Sequence, residues 1–198
     1  NLNTEVSSFK YIINRDSNGT YYSSYSKPVN LNDRRKGFIY LYISKTKKLA
    51  LLAKICEEHQ YSDYFGRILG YPECCIDFYN RHIQKCLKEK RDLIHSVLEE
   101  TKIPFPYPFW NNVASRYFDV SLLSHYPCSF NCKESINIAK KRLNLIKSVS
   151  SSWAEYIVKE LKSAIILTND KGIYKINDFL LKHNKIYFKK KEISCINK

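Results

Sequence analysis

Four of the seven cysteines in this 198-residue chain stand in two matching settings, and they constrain the fold more than any other feature. One setting is Gly70-Tyr71-Pro72-Glu73-Cys74-Cys75; the other is His125-Tyr126-Pro127-Cys128-Ser129-Phe130-Asn131-Cys132. Both place thiols just after a Tyr-Pro step, where a helix is expected to start. A helix start offers unpaired N–H groups and the positive end of the peptide dipoles, which lower a thiol's pKa and stabilise anionic sulfur. Two such starts brought together hold one centre. The Cys-x3-Cys step of Cys128 and Cys132 spans about one helical turn. Cys74 and Cys75 diverge by about 100° in a regular helix, so both ligate only from a loop-like first turn.

The donor set admits several fillings. Four thiolates suit an iron-sulfur cluster or a tetrahedral zinc, and the lack of paired Cys-x2-Cys steps ranks iron-sulfur first, with zinc the alternative. Cys74, Cys75, Cys128 and Cys132 are therefore the expected metal and cofactor ligands. His125, three residues before Cys128, is a further ligand or an acid–base group; the plainer reading is a histidine that caps a helix end. Glu73 is a first-turn carboxylate beneath two thiols, placed to transfer a proton, although acidic residues suit first turns in any case. Cys56 and Cys86 lie on apolar helical stripes, where packing explains them, and Cys195 lies in a basic tail. Seven cysteines with no secretory signal in the opening residues argue against a disulfide framework and for a cytoplasmic protein.

Around these motifs the chain reads as helices between two β-rich ends. Phe9 to Asn14 and Gly19 to Tyr25 form strands across an Asn18-Gly19 turn, and Gly37 to Ser44 forms a third. Thr46 caps a helix carrying Leu49, Leu52, Ala53 and Cys56, and a short helix after Ser62 stops at Gly70. A longer helix after Pro72 has an apolar stripe running from Tyr79 to Leu98. The prolines of Ile103 to Trp110 forbid a helix there, leaving a rigid aromatic connector whose Tyr107, Phe109 and Trp110 pack on the core or cover the site. Asn112 to Leu123 reads as a helix, with Asn111, Asn112 and Arg116 on the face of the site or of the solvent. Asn131 and Glu134 offer a capping pair for a helix to about Val149, and another helix covers Ser152 to Leu161. Ala164 to Thr168 and Gly172 to Ile176 flank the turn signature Asn169-Asp170-Lys171, with further strands at Lys185 to Phe188 and Ile193 to Ile196. The predicted class is α+β, a central helical Cys-bearing core flanked by N-terminal and C-terminal β hairpins and strands. The expected organisation is one domain with a β region 1–45, a helical core 46–162 and a small β lobe 163–198.

A formal charge of +14 attracts polyanions, but the excess comes from 25 lysines against 8 arginines, and bidentate phosphate recognition favours arginine. A nucleic-acid or peptide partner would meet the basic face of Arg34, Arg35, Lys36 and Lys140, Lys141, Arg142. No apolar run approaches the roughly 20 residues that cross a bilayer, so no membrane partner is expected.

Leu69-Gly70-Tyr71-Pro72-Glu73-Cys74-Cys75 and Ser124-His125-Tyr126-Pro127-Cys128-Ser129-Phe130-Asn131-Cys132-Lys133-Glu134-Ser135 together resemble an uncharacterised prokaryotic domain-of-unknown-function family. Its pattern is approximately Gly-Tyr-Pro-x-Cys-Cys and His-x-Pro-Cys-Ser-x-x-Cys-x-x-Ser. The resemblance implies that Cys74, Cys75, His125, Cys128, Ser129, Cys132 and Ser135 form one functional constellation; it supplies no activity. The expectation is a metal-sulfur protein, an iron-sulfur-dependent enzyme of unknown substrate with its centre at two helix starts. The rivals are an RNA- or peptide-binding module with a structural metal, and a thiol enzyme with Cys74 or Cys128 as nucleophile and His125 as base.

Overall fold

The computed structural model describes residues 1–13, 26–89, 91–168, 173–183, 185–189 and 193–196. They gather into two units, the first ending at Leu93 and the second beginning at Ile94. The expected strand Gly19 to Tyr25 and its Asn18-Gly19 turn lie outside the described residues, as does the Asn169-Asp170-Lys171 turn.

In the first unit, β1 (Asn3–Ile13) is the middle strand of an antiparallel sheet, with β2 (Ser26–Asn30) on one side and β3 (Phe38–Ser44) on the other. β1 begins six residues earlier than its β-rich run, because pairing with β3 from Asn3↔Ser44 extends it. The register shifts between Val6 and Lys10, and the buried Ser7 fills the gap: its hydroxyl accepts from the Tyr40 N–H at 3.1 Å and donates to the Phe9 carbonyl at 2.6 Å. A bulge thus keeps its backbone groups paired.

Helix α1 (Lys47–Glu58) opens where expected, with the Thr46 hydroxyl accepting from the Leu49 N–H. Its Ala50 and Ala53 bury against Tyr42 of β3, joined by Phe65 and Ile68 of α2 (Ser62–Ile68). Gly70 ends α2 in the left-handed conformation, φ 71°. The Tyr71 N–H returns to the Gly66 carbonyl and the Gly70 N–H to that of Arg67, which closes a Schellman motif. Helix α3 (Glu73–Glu89) follows at once and turns Cys75, Ile76, Phe78 and Cys86 inward. Gly66 lets the two helices approach, since a Cβ there would stand 2.9 Å from Ile76 Cγ1.

The apolar stripe expected to continue to Leu98 is interrupted. The Arg91 N–H bonds the Cys86 carbonyl beyond the end of α3, and the second unit starts with a separate short helix, α4 (Ile94–Glu100). After the aromatic connector, 3-10 turns cover Phe109–Asn111 and Val113–Phe118. The helix expected over Asn112 to Leu123 does not form. Asp119 adopts a left-handed φ of 60°, and the Ser121 hydroxyl donates to the Leu123 carbonyl and accepts its N–H, so local side-chain bonds outcompete the helix.

Helices α5 (Lys133–Val149) and α6 (Ser151–Leu161) pack together, α6 capped by the Ser150 hydroxyl on the Trp153 N–H. Strands β4 (Ala164–Leu167), β5 (Ile173–Ile176) and β8 (Ile193–Ile196) form one antiparallel sheet, and β6 (Phe179–Lys182) pairs with β7 (Lys185–Phe188) in another. A buried ion pair, Lys175 Nζ to Glu160 Oε2 at 2.5 Å, ties β5 to α6, and the Lys175 ammonium also faces the Phe118 ring. The class is α+β with helices between small antiparallel sheets near both ends. Among the described residues no helix is long and apolar enough to cross a membrane.

Candidate metal centre

Cys74 and Cys75 occupy the first turn of α3, where the Cys75 and Ile76 N–H groups both bond the Pro72 carbonyl. Their sulfurs stand 3.8 Å apart. Side chains of a first turn point back over the helix start, where no preceding turn crowds them, so vicinal thiols have room to converge there. Cys132 occupies the N-cap of α5; its own N–H goes to the Ser129 carbonyl, and its carbonyl receives the Ile136 N–H. The expected Asn131 cap is therefore displaced by one residue. Cys128 belongs to the irregular stretch upstream, not to a helix start.

The four sulfurs of Cys74, Cys75, Cys128 and Cys132 all lie within 4.8 Å of one another. Cys75 and Cys132 are buried, Cys128 is half-buried and Cys74 is exposed, so the group has one solvent-facing edge. Four thiolates at this spacing form a set that a metal ion or a small metal-sulfur centre accepts. Cys56 and Cys86 are buried elsewhere and Cys195 is exposed, all outside the group.

The loop that carries Cys128 is fastened from several sides. Asn111, fully buried, donates through Nδ2 to the carbonyls of Phe130 and Cys132, each at 3.1 Å. The Thr101 hydroxyl accepts the Phe130 N–H at 2.9 Å, and Tyr107 stacks parallel on the Phe130 ring at 5.0 Å. Arg116 donates to the His125 carbonyl and lies over the Tyr126 ring, while Arg142 donates to the Leu122 carbonyl and the Ser124 hydroxyl. Backbone carbonyls of an irregular segment, which no ladder can satisfy, are met here by side chains.

His125 is buried, with Nε2 2.9 Å from Ser135 Oγ. Burial, then the positive charge of Arg142, hold its imidazole at about 4, well below the ordinary 6.5, so it is neutral at neutral pH; Cys132 opposes this shift and Arg116 adds to it. Glu73 is exposed, its carboxylate held by the Arg67 guanidinium through Nε and Nη2, which lowers its pKa.

A family model for proteins of unknown function, DUF483, matches residues 43–166, more than half of the chain. The chain belongs to the DUF483 family. The DUF483 segment runs from the end of β3 into β4, so it contains the four clustered cysteines together with His125, Ser135 and Asn111. No curated protein and no solved structure matches the chain.

Within the DUF483 segment the structure adds Thr101 to the residues singled out from sequence and gives Asn111 a definite role. Thr101 carried no signal, because a hydroxyl serving a backbone N–H 29 positions away has no local signature. Asn111 was expected on the face of the site or of the solvent and instead clamps the cysteine loop; its Oδ1 and the nearby Ser115 Oγ are buried without a hydrogen-bond partner among the described residues. Asn112 turns the other way, donating to the carbonyls of Leu161 and Ser163.

Proposed function

We propose that this DUF483 member is a metal-sulfur protein in which Cys74, Cys75, Cys128 and Cys132 hold a single tetrahedral ion, zinc first, as a structural centre. The span of the sulfurs carries the reading. A tetrahedral ion with bonds near 2.3 Å sets its thiolates about 3.8 Å apart, which matches Cys74–Cys75 at 3.8 Å and a largest separation within 4.8 Å. A four-iron cluster interposes its own irons and sulfides and spreads its thiolates to roughly 6 Å. In this reading the iron-sulfur cluster ranked first from the sequence gives way to one ion.

Four thiolates also close the coordination shell, whereas catalytic zinc sites keep one position open. His125 then stands behind the ligand loop as a buried neutral support, and Glu73 orders the start of α3 through Arg67. The arrangement favours a structural over a catalytic metal.

Anaerobic purification followed by zinc, iron and acid-labile sulfide analysis tests it. We expect one zinc per chain without sulfide, loss of the metal in Cys132→Ala and retention in Cys195→Ala. Iron with stoichiometric sulfide would restore the cluster, and a chain that takes up no metal would reduce the group to plain thiols.

A further inference from the structure

The first unit holds a second concave site that shares no residue with the thiol group. A cavity of about 350 Å³ is lined by Tyr11 of β1, Glu57 and Gln60 at the end of α1, Phe65 of α2, and Tyr79 and Gln84 of α3. Its volume is in the range of small-molecule sites.

Glu57 gives the cavity its chemistry. Among the described residues its one partner is the Tyr42 hydroxyl, which donates to Oε2 at 2.5 Å. Among the described residues no lysine, arginine or histidine lines the cavity, although the chain carries a net charge of +14. Burial raises the Glu57 pKa, against the lowering effect of the Tyr42 bond. Burial, then the Glu57 charge, push Tyr11 up to about 12 and also raise Tyr40 and Tyr79. The carboxylate therefore sits within electrostatic reach of several phenols that stay neutral. Neutral aromatic rings present electron-rich faces that attract cations.

Gln60 adds a further polar group. It closes α1 in the left-handed conformation, φ 58°, with the Tyr61 N–H on the Cys56 carbonyl. Glycine takes that conformation at least cost, and glutamine there supplies an amide to the cavity that glycine would lack.

We propose that this cavity binds a primary alkylammonium ion, with its charged head against Glu57 and the aromatic faces of Tyr11 and Tyr79. The amide oxygens of Gln60 and Gln84 are acceptors for its N–H groups, and Phe65, Ile83 and Leu87 line a path for its alkyl stem. An anion would meet the Glu57 charge, and a neutral apolar molecule would leave a half-buried carboxylate uncompensated. The same head group occurs on free diamines and on the lysine side chain of a partner protein.

The test is calorimetric titration of the full chain, as purified, with n-butylammonium chloride and with 1-pentanol as a neutral molecule of similar length. Saturable one-to-one binding of the cation is expected, about tenfold or more tighter than the alcohol. Glu57→Gln keeps an acceptor for Tyr42 and is expected to weaken the cation about tenfold. Tyr79→Leu, which spares the carboxylate, is expected to weaken it several-fold while Tyr79→Phe retains it; this pair decides the matter if thermal melting shows Glu57→Gln to be unfolded. Putrescine and Nα-acetyl-lysine methylamide, titrated in parallel, assign the natural source to whichever binds more tightly. Equal binding of 1-pentanol, no saturation by n-butylammonium up to about 10 mM, or an unchanged affinity in folded Glu57→Gln would overturn the proposal.

Discussion

His125 Nε2 and Ser135 Oγ share a buried hydrogen bond of 2.9 Å, which fastens the irregular segment carrying Cys128 to the first turn of the helix capped by Cys132. Both residues are closed to solvent. Ser135→Ala leaves the imidazole nitrogen without this partner, and a stranded buried polar group costs about 1 to 3 kcal/mol. The expected result is a lower urea midpoint with an unchanged slope, and unchanged metal content because the thiolates carry binding. A midpoint equal to wild type would show that the bond contributes nothing.

Asn111 is expected to matter for the metal as well as for stability. Its amide holds the carbonyls of Phe130 and Cys132, so Asn111→Ala removes a donor from each and loosens a ligand-bearing loop. Groups that orient ligands typically account for about ten- to a hundredfold in metal affinity. Competition with a chromophoric chelator measures this, and an affinity within twofold of wild type would confine Asn111 to a packing role.

The Lys175–Glu160 pair offers a test free of the thiol group. Removing one partner of a buried pair leaves an uncompensated charge, at about 3 to 5 kcal/mol, whereas removing both is often nearly neutral. Lys175→Met is expected to destabilise strongly, and Glu160→Leu with Lys175→Met to recover most of the loss. Denaturant melts of the two single variants and the double variant form the cycle; additive losses would mean the charges act independently.

Glu57 predicts a pH dependence of definite sign. Its folded pKa is raised above the ordinary 4.5, chiefly by burial. Between the two values the folded chain keeps a proton that the unfolded chain has released. The contribution is therefore fully present below about pH 4.5 and is lost as pH rises through the folded value. Glu57→Gln removes this titration, so its stability relative to wild type should improve as pH rises across that window. Parallel curves for the two proteins would place Glu57 in a solvent-like setting.

Much of the frame follows from interactions a few residues long. Thr46 caps α1, Pro72 precedes α3, and Gly70 closes α2, all within one turn of the residue that signals them. The pairing of β4 with β5 likewise agrees with a turn signature between two apolar runs. The cysteine motifs were legible for the same reason: two thiols beside each other, or four apart, announce a shared centre by spacing alone.

The tertiary structure decided what depends on partners far along the chain. Pairing with β3 lengthened β1, and local hydroxyl bonds together with long-range carbonyl contacts replaced the helix expected after Asn112. The start of α5 moved to Cys132. Asn111 reaches carbonyls 19 and 21 positions away, and the Glu57 cavity draws on two strands and three helices, so neither has a local signature. Sequence determined which residues could cap, turn or ligate, because those preferences belong to each residue and its near neighbours. Which unsatisfied carbonyl or carboxylate each side chain would meet was left to packing, because burial makes such groups costly only once the surrounding chain has excluded water.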